Sequence, residues 1–279
     1  MLTEDLAATI QFNVTTALNE DIRDGDLTAQ LIPENHTSTA QIISRQQAVL
    51  CGSPWLEACF LRIDPDCNFN WTAKEGEQIK PNQQLCEVIG NTRALLTAER
   101  TALNFLQTLS GTATLVRRYV DAVEGINVKI MDTRKTLPGL RMAQKYAVLT
   151  GGGHNQRIGL FDGVLIKENH IAAAGSISQA MELAQRITPQ GMAIQIEVET
   201  LGQLEEALEA NAKLILLDNF SMMNLRQAVS ISGKRAILEA SGNINLDMVL
   251  LVAETGIDRI SIGSLTKDAQ ATDLSMRFQ

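Results

Sequence analysis

No two cysteines in this 279-residue sequence are spaced as CxxC, and the four present, Cys51, Cys59, Cys67 and Cys86, fall in the first third with only His36 near them. That pattern suggests neither a zinc site nor a redox pair, and reduced thiols in a cytoplasmic protein are the expectation. The segment from Met1 to Asn13 carries Glu4 and Asp5 but no basic stretch followed by an apolar run, so it is not read as a secretory signal. No apolar stretch reaches the ~18 residues that would suggest a membrane span. Positive charge is also short, since 24 Lys and Arg against 32 Asp and Glu leave a formal net charge of −8. A surface of that sign argues against a general nucleic-acid or membrane-surface binder, and cations used for function must be gathered locally.

What is present fits one α/β barrel with something smaller attached. The chain exceeds a typical domain of about 100–200 residues, and a hydrophobic content of 45% supports a sizeable core. The first hundred or so residues mix strand-like alternation in 37–50, a helical stretch over 55–63 and a turn-rich segment, 74–90, broken by Gly76 and Pro81. That is an α+β lobe. From Thr92 to Glu124, apolar residues at three- and four-residue steps predict one or two helices, with Ser110-Gly111 as the place where they would break or kink.

Beyond this the pattern changes to short β-branched runs at 128–132, 164–167, 193–198, 214–217, 236–239 and 259–262. The last four start at intervals of roughly 21 residues, room for one helix and two short loops, which is the grammar of parallel βα units. An open, barrel-like parallel sheet of about six strands follows, rather than the usual eight.

In that architecture function sits at the carboxyl ends of strands. The first strand runs into Asp132, Thr133, Arg134, Lys135 and Thr136, and the second into Lys167, Glu168, Asn169 and His170. The third contains Glu197 and Glu199, the fourth ends in Asp218-Asn219, the fifth in Glu239, Ala240, Ser241 and Gly242, and the sixth in Ser261, Ile262, Gly263 and Ser264. Arg134, Lys135, Arg157 and Lys167 would gather on this rim and point to an anionic substrate, arginine gripping carboxylate or phosphate through its planar fork. Glu197 and Asp218 are placed to hold a divalent cation or sugar hydroxyls. Ser241-Gly242 and Gly263-Ser264 would offer hydroxyls and backbone amides to a terminal phosphate.

Plainer explanations compete at single positions. Asp218, Ser241 and Ser264 are common helix-capping types, the run Gly151 to Gly153 would serve simply to stop a helix, His170 would cap or orient a neighbour, and Arg134-Lys135 would be a solvated pair. Followed by His154, Asn155, Gln156 and Arg157, the glycine run also has the look of a close-approach binding loop. The convergence of six strand ends on one rim, rather than any single residue, favours an active site.

Several longer segments are familiar in combination: Asp21 to Thr28 (DIRDGDLT), Ala98 to Gln107 (AERTALNFLQ), Asp132 to Arg141 (DTRKTLPGLR), Leu165 to Ile171 (LIKENHI), Glu197 to Glu199 (EVE), Leu217 to Phe220 (LDNF), Glu239 to Ile244 (EASGNI) and Ser261 to Thr266 (SIGSLT). Together they resemble the quinolinate phosphoribosyltransferases, nearly end to end. The resemblance implies an α/β fold with an amino-terminal α+β sandwich lobe plus an open, roughly six-stranded parallel α/β barrel. The lobe would take residues 1–111 with the tail 268–279 returning to it, and the barrel residues 112–267. It implies transfer of the phosphoribosyl group of phosphoribosyl pyrophosphate to quinolinate, with decarboxylation to nicotinate mononucleotide, as in NAD biosynthesis, and Mg2+ as the metal. Neither nucleic acid nor membrane would be a partner.

By the same resemblance, Arg134, Lys135, Arg157 and Lys167 would line the quinolinate pocket, with Arg100 reaching in from the neighbouring subunit of a homodimer or higher homo-oligomer. Glu197 and Asp218 would bind ribose hydroxyls and Mg2+, and the phosphate would rest on Ser241, Gly242 and Gly263 with Lys267 assisting. Lys135, Lys167, Glu197 and Asp218 would carry the catalysis. Many relatives have a histidine directly before the arginine of the glycine loop, where this chain has Gln156 and a histidine two positions earlier, His154. Either His154 takes that role or Gln156 supplies a neutral hydrogen bond. The alternatives to quinolinate chemistry are a paralogue acting on another aromatic acid or base, and a non-catalytic ligand-binding relative.

Overall fold

The computed structural model describes residues 4–268 and 270–279. In chain order its first elements are α1 (Glu4–Ile22), a short 3-10 turn (Ala29–Leu31), β1 (Thr37–Ser44), β2 (Ala48–Val49), α2 (Ser53–Ile63), β3 (Asn68–Trp71), β4 (Gln78–Ile79), β5 (Gln84–Asn91) and α3 (Thr92–Ala122). Then come β6 (Lys129–Met131), α4 (Arg141–Thr150), β7 (Val164–Ile166), α5 (Glu168–Ala174), α6 (Ile177–Ile187), β8 (Ile194–Val198), α7 (Leu201–Glu209) and β9 (Leu214–Asp218). The chain closes with α8 (Met222–Ser232), β10 (Ile237–Ser241), α9 (Leu246–Ala253), β11 (Arg259–Ser261), α10 (Ser264–Lys267) and β12 (Leu274–Phe278). Among the described residues, no helix is long and apolar enough to cross a membrane.

Two compact units divide these elements, and the division is not a single cut. The first takes the chain up to Arg117, Thr136–Gly152 and Thr266–Gln279; the second takes Arg118–Lys135 and Gly153–Leu265.

The first unit is built on an antiparallel sheet in the order β12-β1-β5-β3. Strand β12 pairs with β1 from Ala40↔Phe278 to Ser44↔Leu274, so the carboxyl tail supplies an edge strand to this sheet. On β1 the residues Ala40, Ile42 and Ser44 are buried while their neighbours are partly exposed, the period of two expected of a half-buried strand. Trp55 on α2 is fully buried, donates its indole N–H to Asn13 Oδ1 at 3.2 Å and lies with its ring centroid 5.3 Å from that of Tyr146 on α4. A side chain of this size removed from water contributes about 1.5–3 kcal/mol. All four cysteines are buried and unbridged; burial pushes the thiols of Cys59, Cys67 and Cys86 up to about 12.

Two expectations for this stretch need correcting. The turn-rich segment 74–90 contains β4 and most of β5, the strand that joins β1 to β3 in the sheet. Ser110-Gly111 does not break the helix, which is continuous from Thr92 to Ala122. Ser110 turns its hydroxyl to the backbone of Cys51, accepting from its N–H at 2.9 Å and reaching its carbonyl at 3.1 Å. Gly111 is small because the backbone of Gln270 passes against the helix there, and a Cβ would collide with its carbonyl.

The second unit is a six-stranded parallel sheet in the order β6-β11-β10-β9-β8-β7. Every strand foreseen from β-branched runs is present. The order is that of a barrel opened between its first and second strands: β6 pairs with the last strand, β11, and the remaining neighbours are consecutive in the chain. Helices return the chain between strands, and their starts are fixed by side chains: Ser176, Thr200, Ser221 and Asn245 each accept a backbone N–H from the first turn of α6, α7, α8 and α9. Main-chain bonds from His154 N to Ile130 O and from Asp132 N to His154 O lay the end of the glycine loop along β6.

Candidate active site

The carboxyl ends of the second unit's strands bring most of the expected residues to one rim. Glu197, next to the end of β8, faces Lys167, which follows β7: Nζ and Oε2 are 3.2 Å apart. Lys167 is also the N-cap of α5, and its N–H is accepted by His170 Nδ1 at 2.9 Å, so His170 is an orienting cap. On neighbouring strands Glu197 lies level with Leu216, which puts Asp218 one step further along the same face.

Asp218 and the phosphate-cradle candidates are fixed to each other through one residue. Asn219 adopts a left-handed φ of 55°, donates its side-chain amide to Asp218 Oδ2 at 2.9 Å and its backbone N–H to Ser241 O at 2.9 Å. Gly242, at φ 108°, packs against this turn so closely that a Cβ would collide with the Asn219 side chain. Gly263 is packed by Lys135, whose Cδ would be 3.0 Å from a Cβ there. Lys135 is thereby held beside the end of β11, with its own N–H on Thr133 Oγ1 at 3.1 Å.

Arg134 and Arg157 lie close enough at this rim to feel each other's charge. Burial, and after it the positive charge of Arg134, lower the pKa of Arg157, with Asp162 acting in the opposite direction. Arginine stays protonated regardless, so a mutual repulsion between two cations remains on this rim. An anion between them would relieve it. Arg157 is steered by Nη1 donating to Gly163 O at 3.1 Å, while Asp162 accepts the N–H groups of Ile158 and Gly159, both at 2.8 Å.

The two candidates of the glycine loop part company. Gln156 points into the sheet, donating to Glu239 and to Gln195 Oε1 at 3.1 Å, and its backbone N–H is accepted by the fully buried Asp132 at 2.7 Å. His154 is largely exposed, and its pKa is lowered by partial desolvation of the ring, then by Lys129 and Arg259, the first residues of β6 and β11. Those two mark the amino ends of the strands, away from the rim. Glu239, counted from the sequence among the rim residues, is instead fully buried beneath it, with Ser261 bonded to it. Gln195 was missed by sequence reading: a lone glutamine inside a strand carries no signal of a role.

Two expected residues belong to the first unit. Arg100 is exposed on α3 and lines a cavity of about 180 Å3 with Glu20, Asp21, Asn104 and Thr108. Lys267, exposed at the end of α10, pairs with Asp268 at 2.9 Å. Among the described residues no cluster of three or more His, Cys, Asp or Glu could hold a metal. Glu197 and Asp218, on neighbouring strands, are two carboxylates of a type that suits Mg2+, an ion that keeps several waters and takes one or two protein carboxylates plus substrate oxygens.

Known proteins agree with one another over nearly the whole chain. A family model described as the quinolinate phosphoribosyl transferase C-terminal domain matches residues 112–277, and its N-terminal counterpart matches residues 26–110. A relative from Bacillus subtilis, a probable nicotinate-nucleotide pyrophosphorylase [carboxylating], is 39% identical over 92% of this chain and 89% of its own. One from Mycobacterium leprae, named without the qualifier, is 38% identical, covering 94% of this chain and 95% of its own. The solved nicotinate-nucleotide pyrophosphorylase from Francisella tularensis superposes with a TM-score of 0.95 at 42% identity, over 98% of this chain and 97% of that one.

Proposed function

The chain belongs to the quinolinate phosphoribosyltransferase family, and on that premise we propose that it joins quinolinate to phosphoribosyl pyrophosphate and releases pyrophosphate, carbon dioxide and nicotinate mononucleotide. The observation that carries this reading is the gathering of cations, Lys167 on Glu197, Lys135 against Gly263 and Arg134 near Arg157, on the same rim as the carboxylates Glu197 and Asp218. One side suits a dianionic acid, the other a sugar and its metal-bound diphosphate.

In this assignment Arg134 and Arg157 grip the two carboxylates of quinolinate, with Lys135 and Lys167 adding positive charge. Glu197 and Asp218 would hold the ribose hydroxyls and Mg2+, an ion that would supply charge neutralisation for the pyrophosphate. Ser241, Gly242 and Gly263 cradle the 5′-phosphate, and Lys267 assists. The ring nitrogen of quinolinate displaces pyrophosphate at the anomeric carbon. Glu197 and Asp218 stabilise positive charge that develops on the sugar, so the protein contributes positioning and electrostatics rather than a covalent bond. Once the nitrogen is quaternary it stabilises the carbanion left when the adjacent carboxylate departs, and a water-poor pocket favours that loss. Of the two glycine-loop candidates, Gln156 supports the site from beneath through neutral hydrogen bonds to Glu239 and Gln195, a role His154 does not share. Arg100 completes the pocket of a second copy of the chain, and the buried, unbridged cysteines fit a cytoplasmic setting.

The test is to supply the purified protein with quinolinate, phosphoribosyl pyrophosphate and Mg2+ and to follow nicotinate mononucleotide and carbon dioxide together. Equal yields of both are expected. Product only with nicotinate or another base would move the specificity to a paralogue, and Mg2+-dependent binding of phosphoribosyl pyrophosphate without turnover would make the chain a non-catalytic relative.

A further inference from the structure

Beneath the rim, three side chains close a ring around one carboxylate. Glu239, fully buried, accepts from Gln156 Nε2 and from Ser261 Oγ at 2.7 Å on Oε1, and from Gln195 Nε2 at 3.1 Å on Oε2. Gln156 Nε2 donates in addition to Gln195 Oε1 at 3.1 Å. Such a buried charge is tolerable because several donors converge on it.

The ring has a direction, and the carboxylate sets it. An ionised carboxylate only accepts, so both glutamines must turn their NH2 groups towards Glu239. Gln195 then presents its carbonyl to Gln156. The carbonyl of Gln156 is left facing outward, where it accepts the backbone N–H of Arg157 at 3.3 Å. Both ends of the Gln156 amide are thus engaged within the protein, one on the ring and one on the residue that carries the rim guanidinium.

We propose that Glu239 is a positioning residue: its negative charge fixes the donor–acceptor direction of the ring and, through Gln156, the backbone from which Arg157 reaches the substrate carboxylate. This rests on the reading of Arg157 as a quinolinate contact. Replacing Glu239 by glutamine keeps the shape but puts an NH2 group opposite one of the ring donors. Gln195 or Gln156 must then reverse, and a reversed Gln156 presents its NH2 to the Arg157 N–H. Moving the charge instead of removing it restores the direction. In the exchange Glu239→Gln with Gln195→Glu, the new carboxylate accepts from both amides, and Gln156 keeps its carbonyl on Arg157.

The experiment measures KM for quinolinate and for phosphoribosyl pyrophosphate in wild type, Arg157→Ala, Glu239→Gln and the exchanged pair. We expect Glu239→Gln to raise the quinolinate KM about tenfold, the effect of one lost hydrogen bond of about 1.4 kcal/mol, with the phosphoribosyl pyrophosphate KM unmoved. The exchanged pair should return to within about threefold of wild type, since its ring bonds are all remade. A wild-type KM in Glu239→Gln, or an exchanged pair no better than the single variant, overturns the inference. If Glu239→Gln does not fold, the exchanged pair decides alone: folded with a near-normal KM it supports the inference, and unfolded or with a raised KM it refutes it. An unchanged quinolinate KM in Arg157→Ala would sink the pocket assignment instead, whatever the ring variants do.

Discussion

At Gly242 the positive φ and the packed Asn219 side chain leave no room for a Cβ. Gly242→Ala must therefore shift the turn that links Asp218 to Ser241, a strain of about 1–3 kcal/mol. We expect the KM for phosphoribosyl pyrophosphate to rise on the order of tenfold while that for quinolinate stays put; equal effects on both would move Gly242 out of the sugar-phosphate half of the site. His154 gives a prediction of a different kind. Its folded pKa lies below the ordinary histidine value of 6.5, because partial burial and the charges of Lys129 and Arg259 disfavour the imidazolium. The unfolded chain then takes up the proton first, so the His154 contribution is complete above pH 6.5 and is lost as pH falls from there to the folded pKa. Denaturation midpoints of His154→Asn followed through that window should fall less steeply than those of wild type, and parallel curves would show that the ring is not held in its neutral form. Residues of this kind differ in how far they can be read from sequence. Arg134, Lys135, Lys167, Glu197 and Asp218 were legible because each sits in or beside a β-branched run, where strand direction tells which end it occupies. Which of Gln156 and His154 bonds into the sheet interior was not, because it depends on how an irregular loop turns.

Between β5 and β6 the chain crosses in one uninterrupted helix, and the reason a glycine was misread there is physical. Glycine in a helix normally weakens it by about 1 kcal/mol relative to alanine, and Ser110-Gly111 looks like a break when only local propensity is weighed. The cost is offset by contacts distant in sequence: Ser110 with Cys51, Gly111 with Gln270. Gly111→Ala should therefore destabilise the protein despite its better helix propensity. With overpacking costs of about 1–3 kcal/mol, the Tm should fall by roughly 3–10 °C. A Tm equal to or above wild type would mean that the Gln270 segment yields easily. The parallel sheet was far more legible than the antiparallel one. Strands buried on both faces announce themselves as continuous β-branched runs, whereas β4 and β5 are interleaved with turns, and β12 finds its partner β1 only through pairing across most of the chain.

For the molecule as a whole, the open question is whether one chain suffices. Arg100 lies in the first unit and Arg134 in the second, and we hold that a working pocket takes Arg134 from one copy and Arg100 from another. If so, Arg100→Ala and Arg134→Ala are each inactive as pure proteins, for one lacks the donor and the other the acceptor of the shared site. Mixing and re-equilibrating the two gives hybrid dimers in which one pocket loses both arginines and the other regains both. With two-fold symmetry and random exchange about half of the dimers are hybrid, so about a quarter of wild-type activity should return. Recovery must appear only after subunit exchange and must follow the hybrid fraction as the ratio of the two proteins is varied. If no activity returns while hybrids are demonstrably present, Arg100 acts within its own chain or not at all, and the site is complete in a single copy.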